Sequence, residues 1–198
     1  MIRCVVFDLG TVLSSPPDLY RAPAALLEVD PGAYEALYWR YRPAYDAGGS
    51  RVEYWQPILE ELGLQPTGEL ITELADLDVR LWMEIRPGAL DLLQTVDQWP
   101  VRTAILSNAP FAFAHAMRDA RWAPFIDRVF ISAEIGLTKP DPAIFAATND
   151  ELGVAPDEVA FIDDRRPNVE AAQAFGWNSH LWVDDTDSLA WLTAVCGR

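Results

Sequence analysis

The chain has 198 residues, 51% of them hydrophobic and 23% charged, with mean hydropathy of +0.02. This is the composition of one compact globular domain, or one with a modest insert, and it excludes a disordered chain. A formal charge of -15 and a pI near 4.3 argue against a nucleic-acid backbone or an anionic membrane surface as partner, since both need basic patches. The two cysteines, Cys4 and Cys196, make no disulfide framework, and MIRCVVFDLG has too short an apolar run for a secretory signal, so a reduced cytoplasmic setting is expected. No stretch approaches the roughly 20 consecutive apolar residues of a membrane span.

In chain order, Ile2 to Phe7 is a β-rich apolar run that stops at Asp8-Leu9-Gly10, and it predicts a buried strand ending in a turn. From about residue 15 to 85 the pattern holds helical stretches and no convincing strand. Asp30-Pro31 opens one helix, Gly48-Gly49 separates it from the next, and Ser50 with Glu53 forms a capping-box pattern. Pro57 is expected to end or kink that second helix. Tyr38, Trp39, Tyr41, Tyr54 and Trp55 supply either a core for this stretch or a contact surface for a homodimer. Arg40 and Arg42 read as its polar face.

After Pro87-Gly88, Leu90, Leu93 and Val96 share one helical face. Arg102 to Leu106 is a second strand, closed by Ser107-Asn108, and Arg128 to Ile131 a third. Asp141-Pro142 is an N-cap followed by proline at the first helical position. Val159 to Ile162 is a fourth strand, ending at Asp163-Asp164, and NVEAAQAFG is a helix stopped by Gly176. His180 to Val183 reads as a fifth strand before a solvated turn, Asp184-Asp185, with an N-cap at Thr186 or Asp187. His115 and His180 match no motif, Arg165 and Arg166 read as exposed loop residues, and Cys4 as a small core residue. Strand alternating with helix predicts a doubly wound, Rossmann-like α/β fold with a parallel sheet covered on both faces. Residues 1–14 and 86–198 would form that core, with residues 15–85 inserted as a small helical cap.

In an open parallel sheet, ligands bind beyond the carboxyl ends of the strands. The residues there are Asp8, Gly10 and Thr11 after the first strand, Ser107 and Asn108 after the second, and Asp163 and Asp164 after the fourth. Lys139 stands in the loop Gly136-Leu137-Thr138-Lys139-Pro140. Together they offer a nucleophilic carboxylate, small hydrogen-bond donors, a cation, and further carboxylates for a hard metal ion. Phosphoryl transfer needs these parts, because there the protein contributes mainly positioning and charge neutralisation.

The segments FDLGTVL, LSN, GLTKPDPAIF and FIDDRRPNVEAA resemble, in order, the four motifs of the haloacid dehalogenase-like hydrolase superfamily. The resemblance implies that Asp8 forms an aspartyl-phosphate and also ligates Mg²⁺. It implies that Ser107 holds a phosphoryl oxygen with help from the backbone beside Asn108, and that Lys139 neutralises charge. Asp164 would be the second metal carboxylate, Asp163 a direct or water-mediated partner, and Asn168 an orienting residue. The substrate implied is a small phosphorylated metabolite.

Gly10 departs from the pattern. Most phosphatases of the superfamily place there an aspartate that acts as general acid and base, a role worth roughly 10²–10⁴-fold in rate. The metal contact at that position comes from the backbone carbonyl, which glycine retains. DLGTV resembles a subgroup related to the N-terminal domain of bifunctional epoxide hydrolases, some members of which are sugar-phosphate phosphatases. Without the acid, a steep preference for good leaving groups is expected. Two other readings compete: a 2-haloacid dehalogenase, in which Asp8 would attack carbon, and a non-catalytic binding or regulatory protein. The dehalogenase subgroup typically works without a catalytic metal and carries an aromatic residue at the position of Gly10, so Asp163-Asp164 and Gly10 both count against it. Retention of Asp8, Lys139 and Asp164 counts against the binding protein.

Overall fold

In the computed structural model, which describes residues 1–197, the apolar runs become five strands: β1 (Cys4–Phe7), β2 (Arg102–Ser107), β3 (Arg128–Ile131), β4 (Val159–Asp163) and β5 (Asn178–Leu181). The α-helices are α1 (Arg21–Leu27), α2 (Pro31–Asp46), α3 (Arg51–Glu61), α4 (Gly68–Trp82) and α5 (Pro87–Asp97) before β2. After it come α6 (Phe111–Arg118), α7 (Ser132–Ile135), α8 (Pro142–Leu152), α9 (Arg166–Phe175) and α10 (Asp185–Cys196). The strand order is β3-β2-β1-β4-β5, and every pair is parallel.

β1 lies at the centre with all its residues buried, as a continuous apolar run requires. Its side chains alternate between two layers. Val5 and Phe7, with Ile105, Ala160 and Ile162, pack towards Leu92, Leu93 and Val96 of α5 and Leu192 of α10. Cys4 and Val6, with Ala104, Leu106, Val159 and Phe161, pack against Ile144 and Phe145 of α8 and Ala172 of α9. This is the α/β architecture expected from the alternation of elements, and Cys4 is the core residue it was read to be. No helix among the described residues is long and apolar enough to cross a membrane.

The helix starts at Asp30, Ser50 and Asp141 form as read, each with its side chain accepting from a backbone N–H in the first turn. Three expectations need correction. Of the two outcomes expected at Pro57, an end or a kink, the end does not occur: α3 continues to Glu61, with Tyr54, Trp55, Ile58 and Leu59 all buried around it. Packing of those side chains outweighs the one backbone hydrogen bond that proline removes. The fifth strand begins at Asn178, not His180, and ends where Leu181 pairs with Asp163. Trp182 lies beyond it, its ring 4.9 Å from the Arg86 guanidinium. The N-cap of α10 is Asp184, whose side chain accepts from the Asp187 N–H.

Between β1 and α5 the chain is helical, with α2, α3 and α4 packed on one another. Most of its aromatics form a core: Tyr34, Tyr38, Tyr54 and Trp55 are buried, and Tyr45 stacks on Tyr54 at 4.3 Å. Trp39 differs, being 46% exposed.

Candidate active site

The strand order reverses between β1 and β4, and such a switch point opens a crevice at the carboxyl ends of the strands. Asp8 stands there directly after β1, held by its N–H to the Ile162 carbonyl at 2.9 Å. Ser107 closes β2 and Asp163 closes β4. Asp8, Gly10, Thr11, Ser107, Asn108, Lys139, Asp164 and Asn168 all line one cavity of about 760 Å³. Asp163 lies fully buried behind it.

Lys139 ties this floor together. Its Nζ donates to Asp8 Oδ1 at 2.7 Å, to Asp163 Oδ2 at 2.7 Å and to the Leu106 carbonyl at 2.8 Å. Those carboxylates raise the lysine above its usual range although burial opposes the charge. Asn108 aims the lysine, since its Nδ2 donates to the Lys139 carbonyl at 2.9 Å while its Oδ1 accepts from the Lys139 N–H at 2.8 Å. The side chain of Asn108 is therefore occupied by Lys139. Asp163 accepts on Oδ1 from the Arg165 N–H at 2.8 Å and from Asn168 Nδ2 at 2.9 Å. Thr11 lies in the left-handed region at φ 60, where its N–H donates to the Ser14 carbonyl at 2.7 Å.

Asp8, Asp163 and Asp164 each place a carboxylate oxygen within 4.8 Å of the others. One lysine does not neutralise three carboxylates. Burial pushes Asp8 up to about 7, with Lys139 pulling it down and Asp163 and Asp164 pushing it further up. Burial and Asp163 likewise raise Asp164. Asn168 Oδ1 is buried with no hydrogen-bond partner. An all-oxygen donor set with surplus negative charge and an orphaned oxygen beside it fits a hard divalent cation.

The roof of the cavity comes from α2, where Trp39, Arg42, Pro43 and Asp46 share one face at helical spacing, and from Trp82 at the end of α4. Arg42 was read as a polar-face residue and is instead 4% exposed. Its Nε donates to Asp46 Oδ1 at 2.6 Å and its Nη1 to Asp78 Oδ2 at 3.3 Å, with a further hydrogen bond to the Tyr38 hydroxyl. That hydroxyl donates to Asp78 at 2.8 Å and accepts from Trp82 Nε1 at 2.9 Å. Trp82 is thereby held over Gly10: a Cβ added to that glycine would lie 3.8 Å from the indole and 3.7 Å from Asp8 Oδ2. Arg40 is exposed and pairs with Glu61. Arg165 lines the rim.

Asp185 is not the solvated residue the sequence suggested. Both its oxygens accept from Arg86 at 2.8 Å, and Arg86 Nε also donates to the Thr11 carbonyl at 3.2 Å, with a further bond to the carbonyl of Val12. The pair fixes the loop that follows Asp8. It requires Gly88, where a Cβ would fall 2.2 Å from Asp185 Oδ2. His115 is exposed and His180 pairs with Asp187 at 2.6 Å, and neither lines the cavity.

Residues 2–176 match the family model described as haloacid dehalogenase-like hydrolase. The chain belongs to that family. It is 28% identical to phosphoglycolate phosphatase 1 of Pseudomonas aeruginosa over 187 residues, which is 88% of this chain but 66% of that protein. It is 29% identical to (S)-2-haloacid dehalogenase 1 of Pseudomonas sp. strain CBS-3, covering 90% of this chain and 83% of that one. Among solved structures, L-2-haloacid dehalogenase from Xanthobacter autotrophicus, with chloropropionic acid covalently bound, superposes with a TM-score of 0.77 at 22% identity, over 98% of this chain and 83% of that chain. This family thus contains both phosphatases and dehalogenases similar to this chain, and the choice between them rests on the site.

The motif residues of this hydrolase family were legible before the fold was known. Arg42, Asp46, Asp78, Arg86 and Asp185 were not read as functional. For two of them a signal existed: Arg42 and Asp46 follow Tyr34 and Tyr38 at intervals of four, so both fall on the face that α2 buries.

Proposed function

We propose that the protein is a Mg²⁺-dependent phosphatase that hydrolyses a small phosphorylated metabolite through an aspartyl-phosphate on Asp8. The observation that carries this reading is the set of three carboxylates, Asp8, Asp163 and Asp164, gathered around one buried lysine. A dehalogenase attacking carbon has no use for the second and third carboxylates. A binding protein has no reason to keep them charged and buried. Phosphatases and dehalogenases are both similar to this chain, so the reading leans on this donor set.

In this reading Asp8 attacks phosphorus, and Ser107 donates its hydroxyl to a phosphoryl oxygen beside the backbone of Asn108 and the side chain of Thr11. Lys139 holds Asp8 in place and offsets the charge that builds up there. Asp8, Asp164 and the Gly10 carbonyl would hold Mg²⁺, with Asp163 bound directly or through water and oriented by Asn168. When bound, the ion would neutralise phosphoryl charge and fix the substrate's orientation. Residues 15–85 act as the cap that sets specificity, and a cavity of about 760 Å³ suits a compact metabolite. The segment DLGTV supports placement in the subgroup related to the epoxide hydrolase N-terminal domain, and a cytoplasmic setting agrees with the composition.

The test is hydrolysis of p-nitrophenyl phosphate and acetyl phosphate with and without Mg²⁺. Turnover is expected to require Mg²⁺ and to vanish in Asp8→Asn. Mg²⁺ should also raise the melting temperature of the wild type and leave that of Asp164→Asn unmoved. No turnover of any phosphate, or equal rates for wild type and Asp8→Asn, would overturn the reading.

A further inference from the structure

Gly10 leaves the floor of the cavity without a proton donor for the departing oxygen. Attacking and leaving oxygens lie roughly in line across the transferring phosphorus. With Asp8 attacking from the floor, the leaving oxygen is directed away from it, into the roof. The question is which roof residue carries a usable proton.

The cavity is lined by few groups that titrate near neutrality. Its carboxylates are Asp8, Asp164 and Asp46, and only Asp46 lies outside the metal-holding trio. Lys139 has all three of its N–H bonds engaged. Arg42 is raised well above its usual range by the carboxylates beside it although burial opposes the charge, and the Tyr20 phenol is raised further by burial.

Asp46 is also fixed in place. It ends α2, one turn after Arg42, where the negative end of the helix disfavours a second negative charge. Its backbone carbonyl accepts from Ser132 Oγ at 2.5 Å, and the same Oγ accepts from the Ala109 N–H at 2.9 Å. Asp46 is thus pinned to the loop that follows Ser107, at the seam between roof and floor. Its Oδ1 accepts from Arg42 Nε, whereas its Oδ2 makes no hydrogen bond among the described residues. Its charged neighbours are Arg42 and Asp78, with the phenols of Tyr45 and Tyr54 nearby.

We propose that Asp46 is the general acid and base of the phosphatase reaction, supplied by the roof in place of the residue that Gly10 lacks. As Asp8 forms its bond to phosphorus and the bond to the leaving oxygen breaks, protonated Asp46 gives that oxygen its proton and the alcohol departs. Asp46, now a carboxylate, takes a proton from the water that attacks phosphorus in the aspartyl-phosphate. The Asp8–phosphorus bond breaks, inorganic phosphate leaves, and both aspartates return to their starting states. Burial pushes the Asp46 carboxyl up to about 6, within the range an acid–base catalyst needs. Arg42, which holds Oδ1, is a positioning residue.

The proposal rests on the phosphatase reading, and leaving-group dependence separates the two. The wild type is expected to hydrolyse alkyl as well as aryl phosphates, against the expectation drawn from Gly10 alone. Asp46→Asn is expected to slow the first turnover of an alkyl phosphate by roughly 10²–10⁴-fold. With p-nitrophenyl phosphate the same variant should still release a fast burst of one nitrophenolate per chain, because that group departs unprotonated, followed by slow hydrolysis of the phosphoenzyme. Asp46→Glu should restore part of the alkyl rate. An unchanged alkyl-to-aryl ratio in Asp46→Asn, with Asp8-dependent turnover intact, would overturn the role of Asp46 and leave the phosphatase reading standing. Loss of the nitrophenolate burst as well would mark Asp46 as structural and overturn it equally. No Asp8-dependent turnover in the wild type would overturn both.

Discussion

Replacing Asp46 with asparagine is expected to stabilise the protein in alkaline solution while leaving it nearly unchanged in mild acid. Asp46 is 8% exposed, and burial pushes its carboxyl from 3.8 up to about 6, outweighing the pull of Arg42 while Asp78 adds to the push. The folded state therefore binds more protons than the unfolded chain between those values, so stability falls as pH rises through this window. The contribution is most favourable below 3.8 and least favourable above about 6. A difference of roughly two pKa units corresponds to about 3 kcal/mol. Asparagine keeps an oxygen for Arg42 Nε and carries no charge, so the variant escapes this penalty. For a chain of this size the gain amounts to a rise in Tm of about 6–12 °C near pH 8. Thermal melts of wild type and variant at about pH 4 and about pH 8 read it directly. A variant less stable near pH 8, or a shift of equal size at both pH values, would refute the reasoning. Such a cost at a residue lining the cavity would fit the trade between stability and activity common at catalytic positions.

Lys139→Met removes the cation between two buried carboxylates and is expected to cost about 3–5 kcal/mol, with activity abolished, measured by urea unfolding and turnover on p-nitrophenyl phosphate. Asp185→Asn loosens the clamp on the Thr11–Val12 carbonyls and should lower stability by about 1–3 kcal/mol, with kcat falling more than KM rises. Gly10→Asp finds only ordinary van der Waals distance to Asp8 and Trp82 at its Cβ, so the variant should fold. In an Asp46→Asn background it should recover part of the alkyl-phosphate rate, and a further fall would show that the cavity depends on the room the glycine leaves under Trp82.

What the amino-acid order determined by itself was local. A continuous apolar run such as CVVF needs cover on both faces, so β1 had to be a central strand, and Asp8 had to lie at its end. Ser50 with Glu53, and Asp141 with Pro142, satisfy the first turns of their own helices within a few residues. The motif residues were legible for the same reason, since each stands next to the strand or loop that presents it. Tertiary structure alone decided the rest. Whether Pro57 stopped a helix depended on what Tyr54, Trp55, Ile58 and Leu59 could bury. Asp185 became a clamp because Arg86, 99 positions away, was brought beside it, and Arg42 became buried because Asp78, on another helix, could share its charge. Asp46 shares a cavity with Asp8 only because α2 closes over the sheet. A charged residue in a helix carries no local mark of the partner that will meet it, and burial and pairing are settled only when distant segments pack.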